Sequence, residues 1–146
     1  MVRQNTIRMI KYFNNFPVKD LTFVLRYWLG AMLIYHSYWA FFDKGGMEGF
    51  AGYLVKSGFP ESLSYGLAVI SKGIEFFGGI VLLIGFATRV VSFLIILVMG
   101  VAVFYMHKGL IWSEGELATN YLIMAIILFF MPNTPFNIFK QKQSRQ

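Results

Sequence analysis

Residues 65–86 read YGLAVISKGIEFFGGIVLLIGF, and after Ala87, Thr88 and Arg89 residues 90–107 read VVSFLIILVMGVAVFYMH. Each run is long enough to cross a hydrocarbon layer of about 30 Å. A backbone in lipid has no water to bond, so its N–H and C=O groups must pair within the segment, and runs of this kind read as helices. Neither run alternates as a strand would. A connection of three residues predicts a tight antiparallel hairpin of two helices.

Working outward, residues 21–42 form another apolar run. Residues 117–131 form a shorter one that borrows a turn from the loop before it. The expected fold is all-α, a four-transmembrane-helix bundle. Composition agrees: 57% of the 146 residues are hydrophobic and 18% aromatic, while 14% are charged, against roughly a quarter in soluble domains. A soluble domain of this size cannot hide that much apolar surface. The length holds one domain, without room for a separate soluble enzyme. Cys is absent, which excludes thiol chemistry and thiolate-held metals. The net charge of +6 does not indicate nucleic acid, because the basic residues lie at the chain ends and not on one polar face. They suit anionic lipid.

Asp20 is the expected N-cap of the first helix. Pro60 suits the first turn of the second helix or the stretch leading into it, and Pro132 and Pro135 stop the fourth. Orientation follows from the loop charges. Arg3, Arg8, Lys11, Lys19, Arg89, Lys140, Lys142 and Arg145 fall on one side. Lys44, Lys56 and Lys108 fall on the other, with Asp43, Glu48, Glu61, Glu114 and Glu116. Both termini are therefore expected in the cytoplasm. Residues 1–20 form a basic N-terminal segment, in which residues 6–16 read either as an interfacial helix or as a basic tail. No small-residue cleavage site follows the first run, so it reads as a retained helix and not a signal peptide. Residues 21–131 form the membrane domain and residues 132–146 a basic cytoplasmic tail. In the first outer loop Met47, Phe50, Ala51 and Leu54 recur at helical spacing, which predicts a short amphipathic helix closed by Gly58.

Few ionisable groups interrupt the apolar runs: Arg26, His36, Lys72 and Glu75, with His107 at an outer end. Each costs about 2.5–3.5 kcal/mol or more at the bilayer centre if left to lipid. At ~100° per residue, Arg26, Leu29, Gly30, Leu33, His36, Ser37 and Ala40 share one face. Tyr27, Trp28, Tyr35, Tyr38 and Trp39 share the other. In the second helix Ala68, Ser71, Glu75, Gly78, Gly79 and Leu82 share a face, with Lys72 at its edge. Ser92, Met99, Gly100 and His107 fall together in the third helix, and Asn120, Met124, Ile127 and Met131 in the fourth. A rise of ~1.5 Å per residue puts His36, Lys72 and Glu75 in one outer layer, with Arg26 ~14 Å further in than Lys72. Arg26 can lean to Glu75 or to the inner interface, and Lys72 can pair or snorkel outward. His107, Glu114, Glu116 and Asn120 are expected to rim the outer mouth.

Two readings of this cluster stay open. One is a pocket around Glu75 that takes a polar headgroup, such as a quinone ring or a lipid head, with His36 passing protons. The other is an ion pair that fixes helix register. No metal is expected, since no H-x-x-H or E-x-x-H pair occurs. The levels of His36 and His107 differ by more than a turn, which speaks against paired haem ligation.

The residues Leu25-Arg26-x-x-Leu29-Gly30 with His36, the stretch Gly49-Phe50-Ala51-Gly52-Tyr53-Leu54 with Gly58-Phe59-Pro60, and Glu75-x-x-Gly78-Gly79-x-x-Leu82-x-x-Gly85 with Thr88-Arg89 together resemble the DoxX family of small four-helix membrane proteins. The resemblance runs from about Leu21 to Met131. Ser37 and Ala40 stand where the family often carries glycine and lysine. The resemblance implies the bacterial cytoplasmic (inner) membrane. It also implies an association with redox chemistry, since named members are small subunits of thiosulfate:quinone oxidoreductase or partners in oxidant-defence complexes. It implies helix-packing glycines at Gly30, Gly78, Gly79 and Gly85 and an inner-loop motif at Thr88 and Arg89. It does not imply that this chain is catalytic on its own. The expected role is a redox-associated or quinone-contacting subunit with partner membrane or periplasmic redox subunits. The alternatives are a structural assembly subunit without a ligand, or a small proton or anion transporter acting as a homo-oligomer.

Overall fold

The ends of the longest apolar helix are set by proline and glycine, and the rest of the bundle hangs from it. The computed structural model describes residues 18–131. It has five α-helices: α1 Val18–Phe42, α2 Gly46–Lys56, α3 Glu61–Ile84, α4 Thr88–Val101 and α5 Glu116–Phe130. α4 runs on into a π-helical turn, Ala102–Met106. Among the described residues there is no strand. The segment 6–16, the prolines after Met131 and the C-terminal tail lie outside the described residues.

Pro60 is the N-cap of α3 in extended geometry (φ −61°, ψ 134°), where its missing N–H costs nothing. The helix thus begins four residues before the expected start, at Glu61. At the other end Gly85 adopts φ 78°. Its N–H bonds Leu82 O at 3.1 Å while Phe86 N–H bonds Val81 O at 3.3 Å, the paired closure that a left-handed residue permits. Ala87, also left-handed, then starts α4. α2 ends the same way: Gly58 at φ 102° lets its own N–H bond Val55 O and that of Phe59 bond Leu54 O. Asp20 is a correction. Among the described residues α1 spans Val18–Phe42, so Asp20 stands two residues inside it and not at its N-cap position.

α1 packs chiefly on α3 and α4 on α5. Contacts of α3 with α4 and of α1 with α5 close the bundle, and α2 lies across α3 and α1. Leu29, Leu33, Leu82, Ile95, Ala125 and Leu128 fill the centre, while Ala40, Met47, Ala51, Leu54 and Ala68 form a second core beneath α2. The outward surface is also apolar, with Ile70, Phe77, Val90, Phe104 and Phe130 all exposed, far more than a water-soluble chain tolerates. α3 and the helix Thr88–Met106 are long and apolar enough to cross a membrane, and α5 is a shorter apolar helix.

Two glycines let α1 and α3 approach closely. A Cβ on Gly30 would stand 2.8 Å from Gly79 O, and one on Gly79 would stand 2.7 Å from Gly30 O. Backbone meets backbone there, as small residues allow in lipid. Gly78 turns the other way, towards Val91 of α4.

The face read for α1 is the buried one, with His36 half-buried at its edge. On α3 the buried set is Ser64, Ala68, Lys72, Glu75, Gly78, Gly79 and Leu82. Lys72 thus belongs to the inner face and Ser71 to the edge. On α4, Ser92 and Met99 are buried, but Gly100 is half-buried with open space beside it. On α5 the reading was off by one residue. Tyr121, Ala125 and Leu128 are buried and Asn120 is exposed.

Gly79→Ala is expected to lower stability by about 1–3 kcal/mol, the usual cost of overpacking. Gly100→Ala, with open space beside it, should leave stability unchanged or raise it slightly. Thermal unfolding of the detergent-purified variants checks both.

Candidate functional site

Lys72 and Glu75 stand one helical turn apart on the inner face of α3, a spacing at which side chains meet. Lys72 Nζ donates to Glu75 Oε2 at 2.7 Å. Both residues are buried, 8% and 6% exposed. The ammonium also lies 4.4 Å from the centre of the Phe50 ring on α2 and 5.9 Å from that of Trp39 on α1. These ring faces carry the negative side of the aromatic quadrupole and attract a cation. Of the two readings open for Lys72, the structure shows the paired one, held from above by α2.

A cavity of about 280 Å³ opens beside the pair. His36, Lys72, Glu75, His107, Glu114 and Tyr121 line it, together with residues such as Met99, Met106 and Trp39. The rings of His36 and Tyr121 meet edge-on at 5.8 Å. Tyr121 Oη and His107 Nδ1 are buried and make no hydrogen bond to described protein atoms. Buried polar atoms are nearly always bonded, and both of these atoms belong to residues that line this one cavity. Of the buried or half-buried helix serines, Ser37 Oγ donates to Leu33 O at 2.6 Å and Ser71 Oγ to Leu67 O at 2.8 Å, whereas Ser92 Oγ of α4 makes no such bond.

A second cavity, about 310 Å³, is an apolar groove between α3 and α4 under α2. Leu67, Ile70, Ile74, Leu97, Val98 and Val101 supply its walls. Glu75 lines this groove as well as the chamber. Phe50, Ala102 and Met106 line both as well, and Glu75 is the ionisable residue among these four.

The structure brings together His36, Lys72 and Glu75, with His107 and Glu114 at the same chamber. It does not bring Arg26 to them, which corrects the four-residue cluster. Arg26 is fully buried, ten residues or about 15 Å along α1 from His36. Its guanidinium lies against the Cα of Gly85, where a Cβ would collide with it, and 5.1 Å from the Tyr27 ring. Glu116 and Asn120 are exposed and line none of these cavities. Thr88 is buried at the start of α4. Arg89 Nε donates to Phe129 O at 3.3 Å, satisfying a carbonyl in the last turn of α5. Among the described residues no three His, Asp or Glu side chains converge as metal ligands do.

Sequence reasoning missed Tyr121 and the ring contacts of Phe50 and Trp39. Ala125 was the available signal on α5, since a small residue one turn from Tyr121 marks a packed face. Nothing in the sequence places α2 over Lys72.

Fold, composition and outward apolar surface define a small helical membrane protein. A family model described as DoxX matches residues 21–108, more than half of the chain. The chain belongs to the DoxX family. The match takes in the chamber walls from α1 to the π-helical turn, while Glu114 and Tyr121 lie beyond it. No curated protein and no solved structure matches the chain.

Removing one partner of a buried ion pair strands the other, at about 3–5 kcal/mol. Lys72→Met and Glu75→Met are each expected to destabilise, and the two combined to recover most of the loss. A double-mutant cycle on unfolding in detergent checks this, with additive losses as the contrary result.

Proposed function

We propose that this chain is a four-span protein of the bacterial cytoplasmic membrane with both termini inside. In this reading it serves as a redox-associated subunit that holds the head of a quinone-class ligand beside Glu75. The observation that carries the reading is the position of Glu75 on both cavities. A head of ring size with an isoprenoid tail needs such a junction: polar contacts for the carbonyl oxygens, then an apolar trough open to lipid. The orphaned Tyr121 Oη and His107 Nδ1 suit carbonyl-bearing heads, the phenol as donor and the imidazole as donor in one tautomer. The two volumes, about 310 and 280 Å³, lie at the small end of ligand sites. The exposed aromatic face of α1, including Tyr27, Trp28, Tyr35 and Tyr38, suits lipid interfaces or a partner subunit.

Orientation rests on the excess of Lys and Arg on the terminal side. The chain has no Cys, so single cysteines report topology without background. Ser57→Cys is expected to react with an impermeant thiol reagent added outside intact cells. Ala87→Cys should react only after the cells are opened. The reverse pattern contradicts the orientation.

The ligand is tested by purification in mild detergent and mass spectrometry of the extracted lipids. Wild type is expected to retain a quinone, and Glu75→Leu to lose most of it. Wild type that carries none, and gains no thermal stability from added ubiquinone or menaquinone, contradicts the reading.

A further inference from the structure

A third hollow, about 580 Å³, lies on the outer face between the end of α2 and the loop before α5. Its walls include Lys56, Ser57, Lys108 and Glu114. It differs in character from the apolar groove, since charged side chains of both signs ring it. Four residues, Tyr53, Met106, His107 and Glu114, line both this vestibule and the Glu75 chamber. They form a neck, and His107 stands in it.

The local backbone is built around this imidazole. α4 loses its regular bonding after Val101, and His107 N–H bonds Ala102 O at 2.9 Å, five residues back. Insertions of this kind recur where a helix positions a functional side chain. Lys108 and Gly109 then take left-handed geometry (φ 50° and 75°) to turn the chain away. Gly115 returns beside the histidine: a Cβ there would stand 3.2 Å from His107 Cβ and 3.5 Å from Cγ. Tyr105 on the same turn donates its hydroxyl to Gly58 O at 3.2 Å, tying the neck to the end of α2.

We propose that His107 exchanges protons between the outer aqueous phase and the Glu75 chamber, through the vestibule. The inference takes the chamber to be the headgroup site proposed above, though the route itself is testable without a ligand. Quinone-class heads take up or release protons when their redox state changes. The apolar groove supplies none, and the vestibule opens to water. An imidazole accepts a proton on one nitrogen and releases one from the other, ending neutral. The groups facing it are Glu114 and Lys108 from its own loop and Tyr53 and Lys56 from α2. On the chamber side they are Lys72 and Glu75 from α3, His36 from α1 and Tyr121 from α5.

Two measurements in right-side-out vesicles test the route. Ala118 lines the chamber and not the vestibule, while Ala125 is fully buried in the core. A sulfonated thiol reagent added outside is expected to modify Ala118→Cys at least about tenfold faster than Ala125→Cys, since only a wetted thiol ionises and reacts. Equal rates overturn the water route. In wild type, diethylpyrocarbonate acylates only neutral imidazole, and peptide mass spectrometry reads the site. Modification of His107 is expected to fall as outer pH is lowered and to be unmoved by lumenal pH. An unmodified His107, or a rate that follows the lumenal pH, overturns the proton role. If the labelling succeeds while no quinone binds, the route stands and the ligand reading fails. If quinone binds and labelling fails, the reverse holds.

Discussion

An ammonium and a carboxylate 2.7 Å apart inside a greasy bundle are the constraint to which the surrounding residues answer. Taking each ion out of water costs several kcal/mol even after relaxation, and attraction offsets this only when geometry is good and other contacts help. The helpers are visible. Phe50 and Trp39 present ring faces to Lys72, so α2 helps to hold the pair where it lies across α3. α2 is bracketed by left-handed Gly45 and Gly58, so the chain can fold sharply down onto the pair. The amphipathic pattern of Met47, Ala51 and Leu54 glues it there.

The depth of the pair is set by glycine. α1 and α3 touch backbone to backbone at Gly30 and Gly79. From that contact His36 is six residues along α1, about 9 Å. Glu75 and Lys72 are four and seven residues back along α3, about 6 and 10 Å. The helices are antiparallel neighbours, so the imidazole arrives at a level between the two charges. Larger residues at the crossing would spread the helices and dissolve this layer. Gly85 does related work at the other end of α3, where its bare Cα admits the Arg26 guanidinium. The two buried cations, Arg26 and Lys72, therefore serve separate ends of the molecule.

The hairpin of α3 and α4 and the inner face of α1 were legible because lipid sorts residues by size and polarity. Gly30, Ser37 and Ala40 fall on one side of α1, Trp28 and Tyr35 on the other. The role of Lys72 was not legible, since its long stem permits both pairing and snorkelling, and α2, which decides between them, is distant in sequence. The face of α5 was misread because its residues are nearly all apolar, so little contrast marks the register; only Ala125 does. Asn120 drew the reading because a polar residue looks as though it belongs inside, yet near the helix start it meets solvent. His107 was placed at the outer mouth by counting. The π-helical turn adds a residue per turn, and no periodic argument extends through it.

The central claim is that Lys72 and Glu75 hold each other inside the bundle, beneath Phe50 and Trp39. The infrared difference spectrum between wild type and Lys72→Met tests it most directly, since the band of a carboxyl group moves when its hydrogen-bond partner is removed. The account predicts that the Glu75 band, identified as the one that Glu75→Gln abolishes, shifts when Lys72 is replaced. A Glu75 band that stays where it is without Lys72 would contradict it.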